Sequence, residues 1–136
     1  MINTNDLTLG NWVYDGEKTQ FPMYVHAICK DCVYLNFEGN EGDLWESTPE
    51  DLQGIPLTDD LLERLGFHHN GHGLWSRGMQ GRTIRINMGS EFVAIEAFED
   101  RLLDSRCTCH GIKYLHQLQN LFKTISKEEL KIQIWK

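Results

Sequence analysis

The hydrophobic positions of this chain change period twice. Trp12-Val13-Tyr14 is a short apolar run that ends at Asp15-Gly16, a pair suited to a turn with positive φ. Met23 to Ile28 and Val33 to Phe37 alternate, the second placing Val33, Leu35 and Phe37 on one face. Glu38-Gly39-Asn40-Glu41-Gly42 turns the chain toward Leu44-Trp45, and Thr48-Pro49-Glu50-Asp51 predicts one capped helical turn with Pro49 at its first position. Short strands and tight turns of this kind predict a small antiparallel, barrel-like sheet, with an SH3-like barrel as one form.

Leu57 to Phe67 predicts a two-turn helix. Thr58 is a natural N-cap, and Asp59 and Asp60 suit the positive end of the helix dipole. Leu57 and Leu62 have the spacing of a hydrophobic staple, and Gly66 supplies a left-handed stop before Phe67. Asn70-Gly71-His72-Gly73 then predicts a turn into Leu74-Trp75-Ser76. Ile84, Ile86 and Met88 alternate with Thr83, Arg85 and Asn87, and Gly89-Ser90 predicts a two-residue hairpin turn into Phe92 to Phe98.

The last third reads as helical. Tyr114, Leu115, Leu118, Leu121, Phe122 and Ile125 form a stripe at helical spacing, with Lys113, His116, Gln117, Asn120 and Lys123 on the other side. Ser126 predicts a further capped turn with Glu129, and Leu130 to Trp135 alternates like an edge strand. The expected class is α+β. A chain of 136 residues forms one compact domain, or two lobes of about 1–56 (β-rich) and 57–136 (α+β).

The net charge of −7 disfavours a duplex nucleic-acid binder. The polar start, Met1-Ile2-Asn3-Thr4-Asn5-Asp6, has no signal-peptide pattern, and no apolar run approaches the roughly 20 residues of a membrane span. The expectation is a cytoplasmic protein in which the four cysteines are thiols or metal ligands.

Candidate chemistry is sparse. Cys29 and Cys32, with Cys107 and Cys109 or His110, offer the donor types of a structural zinc site. The competing reading is a buried Cys29 and incidental thiols. A redox Cys-x-x-Cys needs a helix N-terminus to stabilise its thiolate, whereas Val33-Tyr34-Leu35 follows here as a strand. His68, His69 and His72 bring three imidazoles within five residues, on what reads as a solvated turn. There is no Gly-x-Ser-x-Gly elbow and no phosphate-binding glycine spacing. Glu91, Glu96, Glu99, Asp100 and Asp104 form no evident acid–base pair, and His116 reads as a surface residue. Trp12, Tyr14, Tyr34, Trp45 and Trp75 lack interleaved Lys or Arg, which favours core and partner-interface roles over nucleic-acid stacking.

Leu9-Gly10-Asn11-Trp12-Val13, Ile55-Pro56-Leu57-Thr58 before Leu61-Leu62-x-x-Leu65-Gly66-Phe67, and Ile112 to Phe122 with its His-Gln-Leu-Gln-Asn-Leu core occur together in order. This arrangement resembles a family of small uncharacterised proteins encoded in phages, prophages and conjugative elements of gut anaerobes. The resemblance implies a cytoplasmic protein of mobile-element origin and carries over no catalytic residue and no cofactor. The expected function is a non-enzymatic accessory protein that contacts a protein partner or itself, with the polar side of the 112–125 helix, His116, Gln117 and Asn120, as its working surface. The competing role for those residues is hydrogen bonding to the adjacent sheet. The alternative is a zinc-stabilised adaptor that also contacts nucleic acid. A third reading is an enzyme assembled from scattered groups such as Glu96, His110 and His116.

Overall fold

The computed structural model describes residues 2–16, 21–79, 82–99 and 102–126, with the backbone alone described at 79, 95, 97–99, 102–107, 125 and 126. The protein is α+β, with two five-stranded antiparallel sheets. The described chain divides into two compact units: residues to Pro56 with Tyr114–Leu121, and Leu57–Lys113 with residues 122–126.

In the first unit, β1 (Trp12–Asp15), β2 (Pro22–Ile28), β3 (Val33–Asn36) and β4 (Trp45–Ser47) follow one another as a meander. A 3-10 turn at Pro49–Asp51 then returns the chain so that β5 (Leu52–Gly54) pairs with the free edge of β1, giving the order β4-β3-β2-β1-β5. The expected turn is present, but Thr48 caps it differently: its hydroxyl donates to the Asp51 carboxylate (3.0 Å) and caps no backbone N–H. A short 3-10 turn at Thr4–Asp6 precedes the sheet.

Register places Val25 opposite Leu35 and Leu35 opposite Trp45, so alternate residues of three strands share one face. Val13, Met23, Val25, Val33, Leu35 and Leu52 bury that face together with Ile2 and Leu7, and Phe37 packs at its margin. Each such aliphatic side chain contributes about 1.5–3 kcal/mol on burial.

The sheet is open rather than a closed barrel, because the described ladders join β4 only to β3 and β5 only to β1. Asp15 partly replaces the missing ladder. It follows Val13 on the inward face of β1, and its carboxylate accepts from the Ser47 hydroxyl and the Trp45 indole N–H of β4.

In the second unit, α1 (Asp59–Arg64) forms as its sequence predicts. The Thr58 hydroxyl accepts from Leu61 N–H (3.1 Å), and Leu57 and Leu62 are both buried. Phe67 N–H donates to Leu62 C=O and Gly66 N–H to Glu63 C=O, each at 3.0 Å, with Gly66 at φ 87°. That is the double-bonded left-handed stop of a Schellman motif. Arg77 Nη1 also donates to Leu65 C=O (2.8 Å), and Trp75 Nε1 to Asp59 (3.2 Å), so the sheet holds both ends of α1.

The sheet is a meander of β6 (His68–Gly71), β7 (Leu74–Met79), β8 (Arg82–Asn87), β9 (Phe92–Glu99) and β10 (Leu102–His110). Two turns differ from expectation. Gly71 pairs with Leu74, so the first is the two-residue turn His72-Gly73, with both residues at positive φ. A bulge at Asn70 shifts it past the Asn-Gly signal. The second is not a two-residue Gly89-Ser90 turn. Asn87 pairs with Phe92, leaving a four-residue loop in which the Asn87 side chain accepts from Gly89 N–H (3.0 Å) and Ser90 N–H (3.3 Å), and Glu91 carries the positive φ.

β10 is the largest departure from the sequence reading, which assigned the last third to helix. It pairs with β9 from Glu99 to Phe92, with a register shift between Leu103 and Ser105. The last helix, α2 (Leu115–Ser126), buries Leu115, Leu118 and Phe122 of the expected stripe, while Tyr114 precedes it in an isolated bridge to Pro56. The expected Ser126 turn with Glu129 and the Leu130–Trp135 strand extend beyond the described residues. Among the described residues no helix is long and apolar enough to cross a membrane.

Candidate functional site

The polar side of α2 is tied to its own chain. Asn120 Oδ1 accepts from Thr8 Oγ1 and Asn11 Nδ2, and its Nδ2 donates to Asp6 C=O, all at 2.8 Å. Gln119 accepts from Trp12 N–H (2.9 Å) and donates to Gly10 C=O (3.1 Å). Gln117 Oε1 accepts from Tyr114 N–H (3.0 Å) at the helix start. Between the 3-10 turn and β1, Gly10 N–H and Asn11 C=O pair with Val25 of β2, while Asp6 C=O, Gly10 C=O and Trp12 N–H take the helix amides as partners. Of the residues expected to form a working surface, Asn120 takes the hydrogen-bonding role toward its own chain, and Gln117 bonds to the helix start. Gln119 was not singled out from sequence, since glutamine on a helix carries no signal of its target.

His116 is buried at 3% exposure, a correction to its reading as a surface residue. Its ring stacks on Tyr114 at 5.8 Å with 14° between planes, and Nδ1 has no hydrogen-bond partner among the described residues. Burial holds its pKa below the ordinary 6.5, while the Asp6 carboxylate pulls the other way. A depressed imidazole contributes stability that is complete above the unfolded value of 6.5 and is lost as pH falls below it. The wild type is therefore expected to lose more urea stability than His116→Gln between about pH 7.5 and about pH 5.5. Equal losses in the two proteins would show that other groups set the acid sensitivity.

The cysteines divide between the units. Cys29 and Cys32 face each other across the β2–β3 turn, with Cys29 N–H donating to Cys32 C=O (2.9 Å). Cys109 and His110 end β10 in the second unit, and the Cys107 side chain is outside the described set. Among the described residues no three His, Cys, Asp or Glu side chains gather as a metal-ligand cluster. Desolvation, then the adjacent Cys29, pushes the Cys32 thiol above its ordinary value, opposite to what a catalytic thiolate needs.

The histidines expected on a solvated turn lie mostly on a strand. His68 and His69 are neighbours on β6 and point to opposite faces, so they cannot converge on one ion. His69 packs on Trp75 (4.7 Å), and His72 occupies the turn. Glu96 is buried on β9 and ion-paired with Arg85 of β8, while His110 lies against Phe92 (4.9 Å). His69, Glu96 and His110 each have a neighbour that accounts for their placement.

The aromatics separate cleanly. Trp12 and Trp75 are buried, Tyr14 and Tyr34 half-buried, and Trp45 is 54% exposed. Its indole N–H is fixed by Asp15, so an exposed ring is held in a single orientation on an edge strand, next to exposed Leu44. From Glu38 to Asp51 the chain carries six carboxylates and no Lys or Arg. Asp15 was legible only as a turn residue, although its place two residues after Val13 marks it as inward-facing. No protein-family model matches this chain, and neither the curated proteins nor the solved structures contain a match.

Proposed function

We propose that this is a non-enzymatic cytoplasmic protein-interaction module of a phage or mobile element, docking a basic partner segment at β4. The observation that carries this reading is Trp45. A large apolar ring left half in water by an otherwise well-packed sheet, and fixed by Asp15, supplies a rigid anchor of the kind that concentrates binding energy. Glu41, Asp43, Glu46, Glu50 and Asp51 are exposed around it in sequence and favour Lys- or Arg-rich partners. An edge strand also offers unpaired backbone groups to an extended segment.

A displayed peptide library tests this reading. The wild type is expected to enrich basic sequences containing an apolar residue, with binding that weakens as salt rises. Trp45→Ala should bind the enriched peptides at least about tenfold more weakly while keeping its circular dichroism spectrum. No enrichment, or equal binding by Trp45→Ala, would overturn the proposal.

A further inference from the structure

The β2–β3 turn holds two thiols whose placement has a chemical consequence independent of partner binding. Ile28 pairs with Val33, and Cys29 N–H reaches Cys32 C=O, so Cys29 and Cys32 stand directly opposite across Lys30-Asp31. Opposed residues of this hydrogen-bonded kind have Cα atoms about 5.5 Å apart, inside the window of roughly 4.4–6.8 Å that a disulfide spans. Cys29 is also near enough to Cys32 to help raise its pKa. Both are free thiols, Cys29 exposed and Cys32 half-buried.

We infer that Cys29 and Cys32 form a dithiol modification site that closes to a disulfide by exchange with a small-molecule disulfide such as oxidised glutathione. The exposed Cys29 is the entry thiol. Its thiolate attacks one sulfur of the glutathione disulfide, forming a mixed disulfide at Cys29 and releasing one glutathione thiolate, which takes up a proton. Cys32 then loses its proton and attacks the Cys29 sulfur, forming the Cys29–Cys32 bond and expelling the second glutathione. The protein loses two electrons and two hydrogens, and the glutathione disulfide gains them. The second step is favoured because the resolving thiol is held against its target at the effective concentration of a very short loop. The half-buried Cys32, with its raised pKa, is poorly suited to begin the exchange with a solute and needs only to finish it.

The experiment incubates the reduced full chain with oxidised glutathione, quenches with an alkylating agent and maps the cysteines by mass spectrometry. In the wild type, Cys29 and Cys32 are expected to lose alkylation together, in a species lighter by two hydrogens and without bound glutathione. Cys32→Ser should instead accumulate one glutathione at Cys29, and Cys29→Ser should stay alkylatable at Cys32. A stable glutathione adduct at Cys29 in the wild type, or bonding of either residue to Cys107 or Cys109, would overturn the proposal. So would continued alkylation of both thiols.

Discussion

Asn120→Ala is expected to lower the unfolding free energy by about 3 kcal/mol, measured by urea denaturation. The substitution removes three hydrogen bonds at once, to Thr8, Asn11 and Asp6. Its larger cost falls on Asn11, which is 2% exposed and whose amide Nδ2 donates to Asn120. A buried donor stripped of its acceptor costs about 1–3 kcal/mol by itself, and members of a shared network lose more together than singly. Asn120→Asp separates the two halves of the clamp. It keeps the acceptor for Thr8 and Asn11 but turns an oxygen toward Asp6 C=O, so it should also destabilise, and more at neutral than at acid pH. A loss below about 1 kcal/mol for Asn120→Ala would mean that water replaces the amide.

Leu62→Ala is expected to cost about 3 kcal/mol, the usual range for deleting a fully buried leucine being roughly 2–5 kcal/mol. Leu62 is 0% exposed and serves α1 twice. Its side chain is the helix partner of Leu57 in the staple, and its carbonyl receives Phe67 N–H at the stop. Only the side-chain role is lost in alanine, so the backbone motif persists around a cavity. Leu62→Met, which nearly conserves volume, should cost less than about 1.5 kcal/mol. Thermal melts of both variants beside the wild type decide the matter, and equal losses would remove the cavity explanation.

What the sequence made legible follows from how local each signal is. α1 was readable in full because Thr58, Leu57, Leu62 and Gly66 act within one another's reach. β2 and β3 were readable from alternation, since alternate residues of each are buried, whereas β1 showed only as a short apolar run and β4 only as Leu44-Trp45 after a turn. β5 was not, because Leu52-Gln53-Gly54 is too short to show a period, and its pairing with β1 depends on a distant strand. β10 was missed for a related reason: Leu102 to His110 is an edge strand held by its ladder to β9, and its polar sequence shows no alternation.

The candidate site divides the same way. Trp45 was visible among the aromatics, but a sequence does not tell which of several aromatics the core leaves outside. His116 was misjudged because its position on the helical wheel is polar, while the Asp6–Trp12 segment that covers that side comes from more than 100 residues earlier. The Asp15 contacts with Trp45 and Ser47 are of that distant kind too.

Gly54 and Tyr114 show how such a contact restricts the drift of the chain. A methyl group placed on Gly54 would stand 2.6 Å from Tyr114 Cγ and Cδ1 and 3.1 Å from its Cβ, atoms too near the backbone to swing aside. The tyrosine ring occupies the room a side chain on β5 would take. Two positions sixty residues apart are thereby bound into a single heritable choice, aromatic at one and bare at the other, and neither can mutate freely while its counterpart stays as it is.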